Sequence, residues 1–170
     1  MIKYSILALK RLYKQVLGRE EISLPSEEIF ISAPGRVNLI GEHTDYNLGH
    51  ILPGAIDKKT YCAGRLSDDE FIYLYSGNFD EQVKFKINDI KRESEEIRWY
   101  DYAKGVIKEL IEAGYDVKPF MLGIYGDVPI GVGVSSSASF EVAIAKFIAE
   151  SSKLDISESK LIELTRAAEN

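Results

Sequence analysis

The sequence predicts a single domain of mixed α and β structure, and three stretches predict it. Val83, Phe85 and Ile87 alternate with Lys84 and Lys86, the period of a half-buried strand. Ala103, Val106, Ile107, Leu110 and Ile111 recur at three and four, the period of an amphipathic helix. Between Phe120 and Ser151 a strand-like run, a glycine- and serine-rich loop and a helical run follow one another. With 170 residues and 45% apolar content, the chain is large enough to bury one core.

In order, Ile6, Leu9, Tyr13, Val16 and Leu17 share one helical face, and Gly18 stands where a left-handed cap would end it. Lys10, Arg11 and Lys14 interrupt this segment, which argues against a signal peptide or membrane span. Glu28–Ala33 has strand composition and is expected to stop at Pro34-Gly35, with a long polar loop after it. Strands are expected at Thr60–Leu66, Phe71–Ser76 and Gln82–Ile87, with a turn at Asp68-Asp69. The charge run Lys91–Glu96 reads as a solvated loop. A helix over Asp101–Ala113 closes at Gly114, Phe120–Tyr125 is a strand, and Ala138–Ser151 is a helix with Phe140, Ile144, Phe147 and Ile148 inward. A last helix starts near a capping box at Asp155–Glu158 and runs to the end, at Asn170.

A formal charge of −6 opposes a nucleic-acid surface, which needs basic groups to displace counterions, and fits an acidic cytoplasmic enzyme better. Cys62 is the single cysteine, so no internal disulfide exists within this sequence, and it reads as a buried small hydrophobe.

Two loops carry chemistry. In Pro129-Ile-Gly-Val-Gly-Val-Ser-Ser-Ser-Ala-Ser139, glycines let backbone N–H groups approach an anion and a helix start adds its positive dipole end. No lysine follows Gly131 as in a Walker A loop, and the third glycine of a dinucleotide loop is absent. Serine hydroxyls can donate to phosphate and can ligate Mg²⁺. The competing reading is a tight turn with a serine helix cap.

The second loop, Ala33 to Asn47, gathers Arg36, Asn38, Glu42, His43, Asp45 and Asn47 around Leu39-Ile40. Carboxylates accept from sugar hydroxyls, and an arginine fork can meet a phosphoryl group. Taken singly, each of these residues could equally be a solvated loop charge or a structural imidazole. One histidine beside two carboxylates is a poor zinc set, and His50 does not complete it.

Together, Gly35-Arg-Val-Asn-Leu-Ile-Gly-Glu-His-Thr-Asp-Tyr46 is similar to the galactokinase signature, and Pro129–Ser139 resembles the ATP motif of the GHMP kinases, with Val134 where leucine is usual. Leu52-Pro-Gly-Ala-Ile-Asp57 and Trp99-Tyr-Asp-Tyr-Ala-Lys-Gly105 also resemble galactokinase segments, in the same order. The resemblance implies an α+β GHMP-kinase N-terminal domain over residues 1–170, with a mixed sheet packed with helices and a left-handed β-α-β unit around the ATP loop. It implies a kinase that makes galactose 1-phosphate and ADP from D-galactose and ATP with Mg²⁺. Glu42, His43, Thr44 and Asp45 fall to the sugar pocket and Arg36 to the transition state. Gly131, Val132, Gly133, Val134, Ser135, Ser136 and Ser137 form the triphosphate cradle, Ser76 is an ATP contact, and Ser137 with Glu169 holds the metal.

By the same resemblance the general base is an aspartate beyond Asn170, roughly a dozen positions after Glu169, and the C-terminal domain lies further on. The isolated chain is therefore expected to lack kinase activity. Alternatives from the same resemblance are a galactose- and ATP-binding sensor that regulates a partner, or a related kinase such as one for N-acetylgalactosamine. Neither a nucleic acid nor a membrane is an expected partner.

Overall fold

A computed structural model describes residues 6–8, 10–11, 28–41, 50–91 and 95–169. Five strands form one mixed sheet: β1 (Ile29–Ile40), β2 (Leu52–Leu66), β3 (Phe71–Ser76), β4 (Glu81–Lys86) and β5 (Phe120–Gly126), in the order β1-β2-β5-β3-β4. All neighbours are antiparallel except β3 and β5, which run parallel. Three helices are described from end to end: α1 (Trp99–Glu112), α2 (Ser136–Ser151) and α3 (Glu158–Ala168). The architecture is α+β, as expected. Among the described residues no helix is long and apolar enough to cross a membrane.

The helices bury their apolar stripes on one face of the sheet. Val106, Ile107 and Leu110 of α1, Ile144, Phe147 and Ile148 of α2, and Leu161 and Leu164 of α3 meet Cys62, Ile72, Leu74, Phe120, Leu122 and Ile124. Phe120 and Phe147 pack edge to face at 5.4 Å. Burial pushes the Cys62 thiol far above its ordinary pKa, so it serves as a hydrophobe. Tyr73, Tyr75 and Met121 point to the other face and are also buried. There Ala8 lies buried, and Arg11 donates to Tyr75 and Asp80, the latter at 2.9 Å. Residues 6–8 and 10–11 are helical, as the N-terminal periodicity predicts; Leu9, Tyr13, Val16, Leu17 and Gly18 lie outside the described residues.

Three expectations are corrected. Pro34-Gly35 does not end β1, which continues to Ile40 with register shifts between Pro34 and Arg36 and between Asn38 and Ile40. At the edge of the sheet a proline forfeits no ladder bond on its open side, and a bulge absorbs the irregularity. The last helix is capped by Ser157, whose side chain accepts from the Lys160 N–H, rather than by Asp155. Nor does that helix run to Asn170: α3 ends at Ala168 with Glu169 as its C-cap, and Asn170 lies outside the described residues. Smaller differences move element ends: β2 begins at Leu52, α1 at Trp99 and α2 at Ser136, and β4 lies one residue earlier than expected at both ends.

The contact between β2 and β5 is especially close at Gly64. A Cβ there would lie 2.2 Å from the Met121 carbonyl oxygen and 2.9 Å from the Leu122 side chain. Because both neighbours are locked in the core, Gly64→Ala should destabilise by about 2–3 kcal/mol. In a protein of this size or larger, thermal unfolding should show a drop in Tm of several degrees; an unchanged Tm would contradict the close packing.

Candidate functional site

The loop between β5 and α2 is built to leave backbone N–H groups free. Gly131 and Gly133 adopt φ of 78° and 77°, and nothing lies within 4 Å of a Cβ added at either, so conformation rather than space calls for glycine there. Ser135 takes φ 60°, a strained value for a residue with a side chain. Alternation of this kind turns successive N–H groups toward one concavity, a nest for an anion. Ser135 occupies the N-cap of α2, yet its side chain makes no capping hydrogen bond. The first turn thus keeps donors that a capping serine would have satisfied. This observation weighs against the turn-and-cap reading of the serine cluster.

β1 meets this loop directly. The Arg36 N–H donates to the Val134 carbonyl at 3.1 Å. A Cβ on Gly35 would stand 2.9 Å from that same oxygen and 2.9 Å from the Val128 side chain, so the approach requires glycine. Beneath the junction, the buried Ser139 hydroxyl donates to the Ala33 carbonyl at 2.8 Å, accepts from the Thr60 N–H at 3.2 Å and lies 2.9 Å from the Thr60 hydroxyl. One side chain so ties α2 to both β1 and β2. Arg36 itself is exposed at the loop.

A cavity of about 260 Å³ opens beside the serines. Ser136 and Ser137 form one wall, with Thr60, Ser76, Asn78, Phe79, Trp99 and Phe140 among the others. Ser76 is 3% exposed and its Oγ accepts from the Phe79 N–H at 3.4 Å. Asn78 clamps Gly126 from both sides, donating to its carbonyl at 2.7 Å and accepting from its N–H at 2.8 Å. Phe79 and Trp99 lie nearly parallel, 16° apart, with centroids at 6.4 Å, and Phe140 meets Trp99 edge-on. The Trp99 indole N–H donates to Glu81 at 2.6 Å, which fixes the ring. Apolar walls with a few fixed polar groups suit a flat heterocycle.

Two further carboxyl groups accompany Ser137, one bonded to its hydroxyl and one a helical turn away. Ser137 Oγ donates to Glu169 Oε1 at 2.8 Å, joining the start of α2 to the end of α3. One turn below Ser137, Glu141 is 1% exposed, and its Oε1 is buried without a hydrogen-bond partner. Burial first, and the charge of Glu169 second, push its carboxyl from 4.5 up to about 8. Ser137 and Glu169 fit a hard divalent cation: both offer oxygen, they already touch, and an orphaned carboxylate oxygen lies near. Among the described residues, no three His, Cys, Asp or Glu side chains form a metal set alone. A cation arriving with phosphates needs fewer protein ligands.

Of the residues singled out by sequence, the structure brings together Arg36, Ser76, Gly131 through Ser137 and Glu169. Glu42, His43, Thr44 and Asp45 lie outside the described residues. So does Asn170, and the general-base aspartate expected beyond it falls outside this sequence. Neither the aromatic slot nor Glu141 is evident from the sequence reading. Trp99 is legible only as part of a family-like segment, because an aromatic residue at a helix start has no periodicity to betray a cavity. For Glu141 the available signal is a carboxylate on the inward side of an otherwise apolar helix, four residues after Ser137.

Known proteins resemble this chain in sequence and in fold. The model for the galactokinase galactose-binding signature matches residues 18–66, and that for the GHMP kinases N terminal domain matches residues 101–170. A galactokinase of Streptococcus suis is 40% identical over 165 residues, covering 95% of this chain and 40% of the relative. One from Pyrococcus furiosus is 42% identical over 143 residues, covering 84% and 39%. A solved Lactococcus lactis galactokinase complexed with galactose superposes with a TM-score of 0.85 at 35% identity, covering 97% of this chain and 42% of that one. Methanococcus jannaschii mevalonate kinase, with a TM-score of 0.75 at 20% identity, covering 86% of this chain and 47% of its own, shares the fold. The chain spans about two fifths of the length of the curated relatives named. The two family models matched in succession, the identity to galactokinases along most of the chain and the shared fold make this chain a member of the galactokinases of the GHMP kinase family, corresponding to their N-terminal portion.

Proposed function

We propose that the protein to which this chain belongs transfers the γ-phosphate of ATP to the C1 hydroxyl of D-galactose, giving galactose 1-phosphate and ADP, and that residues 1–170 form one GHMP-kinase N-terminal domain. The observation that carries this reading is the bond from the Arg36 N–H to the Val134 carbonyl. It holds the start of the sugar signature against the phosphate loop, as a reaction between a sugar hydroxyl and a terminal phosphate needs. The base lies in the Trp99 and Phe79 cavity, and the phosphates run along Gly131–Ser137. Arg36 faces the transferring phosphoryl group, whose charge it offsets. Glu42, His43, Thr44 and Asp45 bind the sugar, and the Lactococcus lactis relative solved with galactose supports that choice of hexose. Ser137 and Glu169 would hold Mg²⁺, which when bound neutralises the phosphate charge. The protein works in the cytoplasm.

The full-length protein should release ADP from Mg-ATP with galactose present, and much more slowly with N-acetylgalactosamine or mevalonate. Tight binding of galactose and ATP without turnover would instead make the protein a sensor, and this reading would fall.

A further inference from the structure

Glu141 stands apart from every other charged side chain of the core. It projects from α2 one turn after Ser137, and residues four apart on a helix lie on one face, about 5–6 Å apart at Cβ. Ser137 in turn touches Glu169 at 2.8 Å, and the charge of Glu169 is felt at Glu141, so the hydroxyl and the two carboxyl groups lie near one another. Glu141 is 1% exposed and Oε1 has no hydrogen-bond partner, although a buried carboxylate left unpaired is among the costlier arrangements in a protein interior. One lysine from each helix is engaged elsewhere: Lys146 of α2 with Glu150 at 2.9 Å, Lys160 of α3 with Glu163 at 2.8 Å, and Lys104 of α1 with the Lys91 carbonyl at 3.0 Å. A divalent cation in oxygen coordination would hold the buried carboxyl ionised and use the oxygen that has no hydrogen-bond partner.

We propose that Glu141 completes the cation site, acting with Ser137 and Glu169 as its third oxygen donor from the protein when the cation enters on the nucleotide's phosphates. This rests on the phosphate-loop reading above and extends its metal side. Three protein oxygens, with the remainder from phosphates and water, match the sparse protein ligation that such cations accept.

The test titrates the full-length protein with a non-hydrolysable imido analogue of ATP, once with chelator and once with Mn²⁺. In the wild type, Mn²⁺ should tighten binding clearly. In Glu141→Gln the metal-free affinity should be unchanged, while the gain from Mn²⁺ shrinks by about tenfold or more. Glu141→Asp keeps the charge but withdraws it by one methylene, and should give an intermediate gain; it decides the matter if the glutamine variant does not fold. A full Mn²⁺ gain in either folded variant overturns the proposal and assigns Glu141 to structure. Failure of the wild type to bind the analogue even with Mn²⁺ is a different result: it removes the phosphate-loop reading, and the proposal with it.

Discussion

Replacing Arg36 with alanine in the full-length protein should lower kcat for galactose phosphorylation by about two to three orders of magnitude, with KM for ATP changed far less. Arg36 follows the first irregularity of β1, and its backbone N–H is already committed to Val134 at 3.1 Å, so the strand and not the side chain sets its place. The guanidinium is left exposed at the loop, free for a charge that appears only during transfer. A group of this kind acts on the transition state more than on bound ATP, hence the effect on kcat. Lysine should recover part of the loss, because it restores the charge without the planar fork. Steady-state kinetics over both substrates checks this; equal kcat in the variant would remove Arg36 from the chemistry.

Glu141→Gln should abolish the pH dependence of stability contributed by this side chain. The folded carboxyl sits at about 8 against an ordinary 4.5, so the folded state keeps a proton that the unfolded chain has already released. Stability from this group is therefore full below pH 4.5, declines as pH rises, and is exhausted near pH 8. The shift corresponds to at most about 5 kcal/mol, and relaxation of the site reduces it to a few. The amide variant cannot ionise and escapes the decline. Near pH 4.5 it should be equal to the wild type or slightly less stable, since a buried amide needs partners of its own; above pH 8 it should be more stable by a few kcal/mol. Denaturant unfolding at both pH values, without metal, measures the difference. A wild type as stable as the variant at about pH 8.5 would mean that Glu141 is solvated or paired. A protein that accepts such a cost without metal is consistent with a carboxylate kept for binding.

The regular elements were legible because their periods are strong. Alternation along β4 and the threes and fours of α1 follow directly from which side chains face the core. The path of β1 through Pro34-Gly35 was not legible, because the same dipeptide that usually ends a strand can sit on a sheet edge when a bulge takes up the extra residue. What decides that case is β2 alongside it, a pairing remote in sequence. The phosphate loop could be read from its glycines and serines, but the choice between a cap and a cradle could not. It required the φ of Ser135 and the absence of a capping bond from its side chain. The aromatic slot formed by Phe79, Trp99 and Phe140 comes from the turn between β3 and β4, the start of α1 and the first part of α2, and no local pattern joins them.

A crystal structure of the full-length protein with galactose and a non-hydrolysable ATP analogue measures the site itself. The account predicts phosphate oxygens about 3 Å from the N–H groups of Gly131–Ser137, the base beside Trp99, and the galactose C1 hydroxyl in line with the γ-phosphate near Arg36. A nucleotide seated away from that loop, or a sugar on the far side of the sheet from it, would contradict the account.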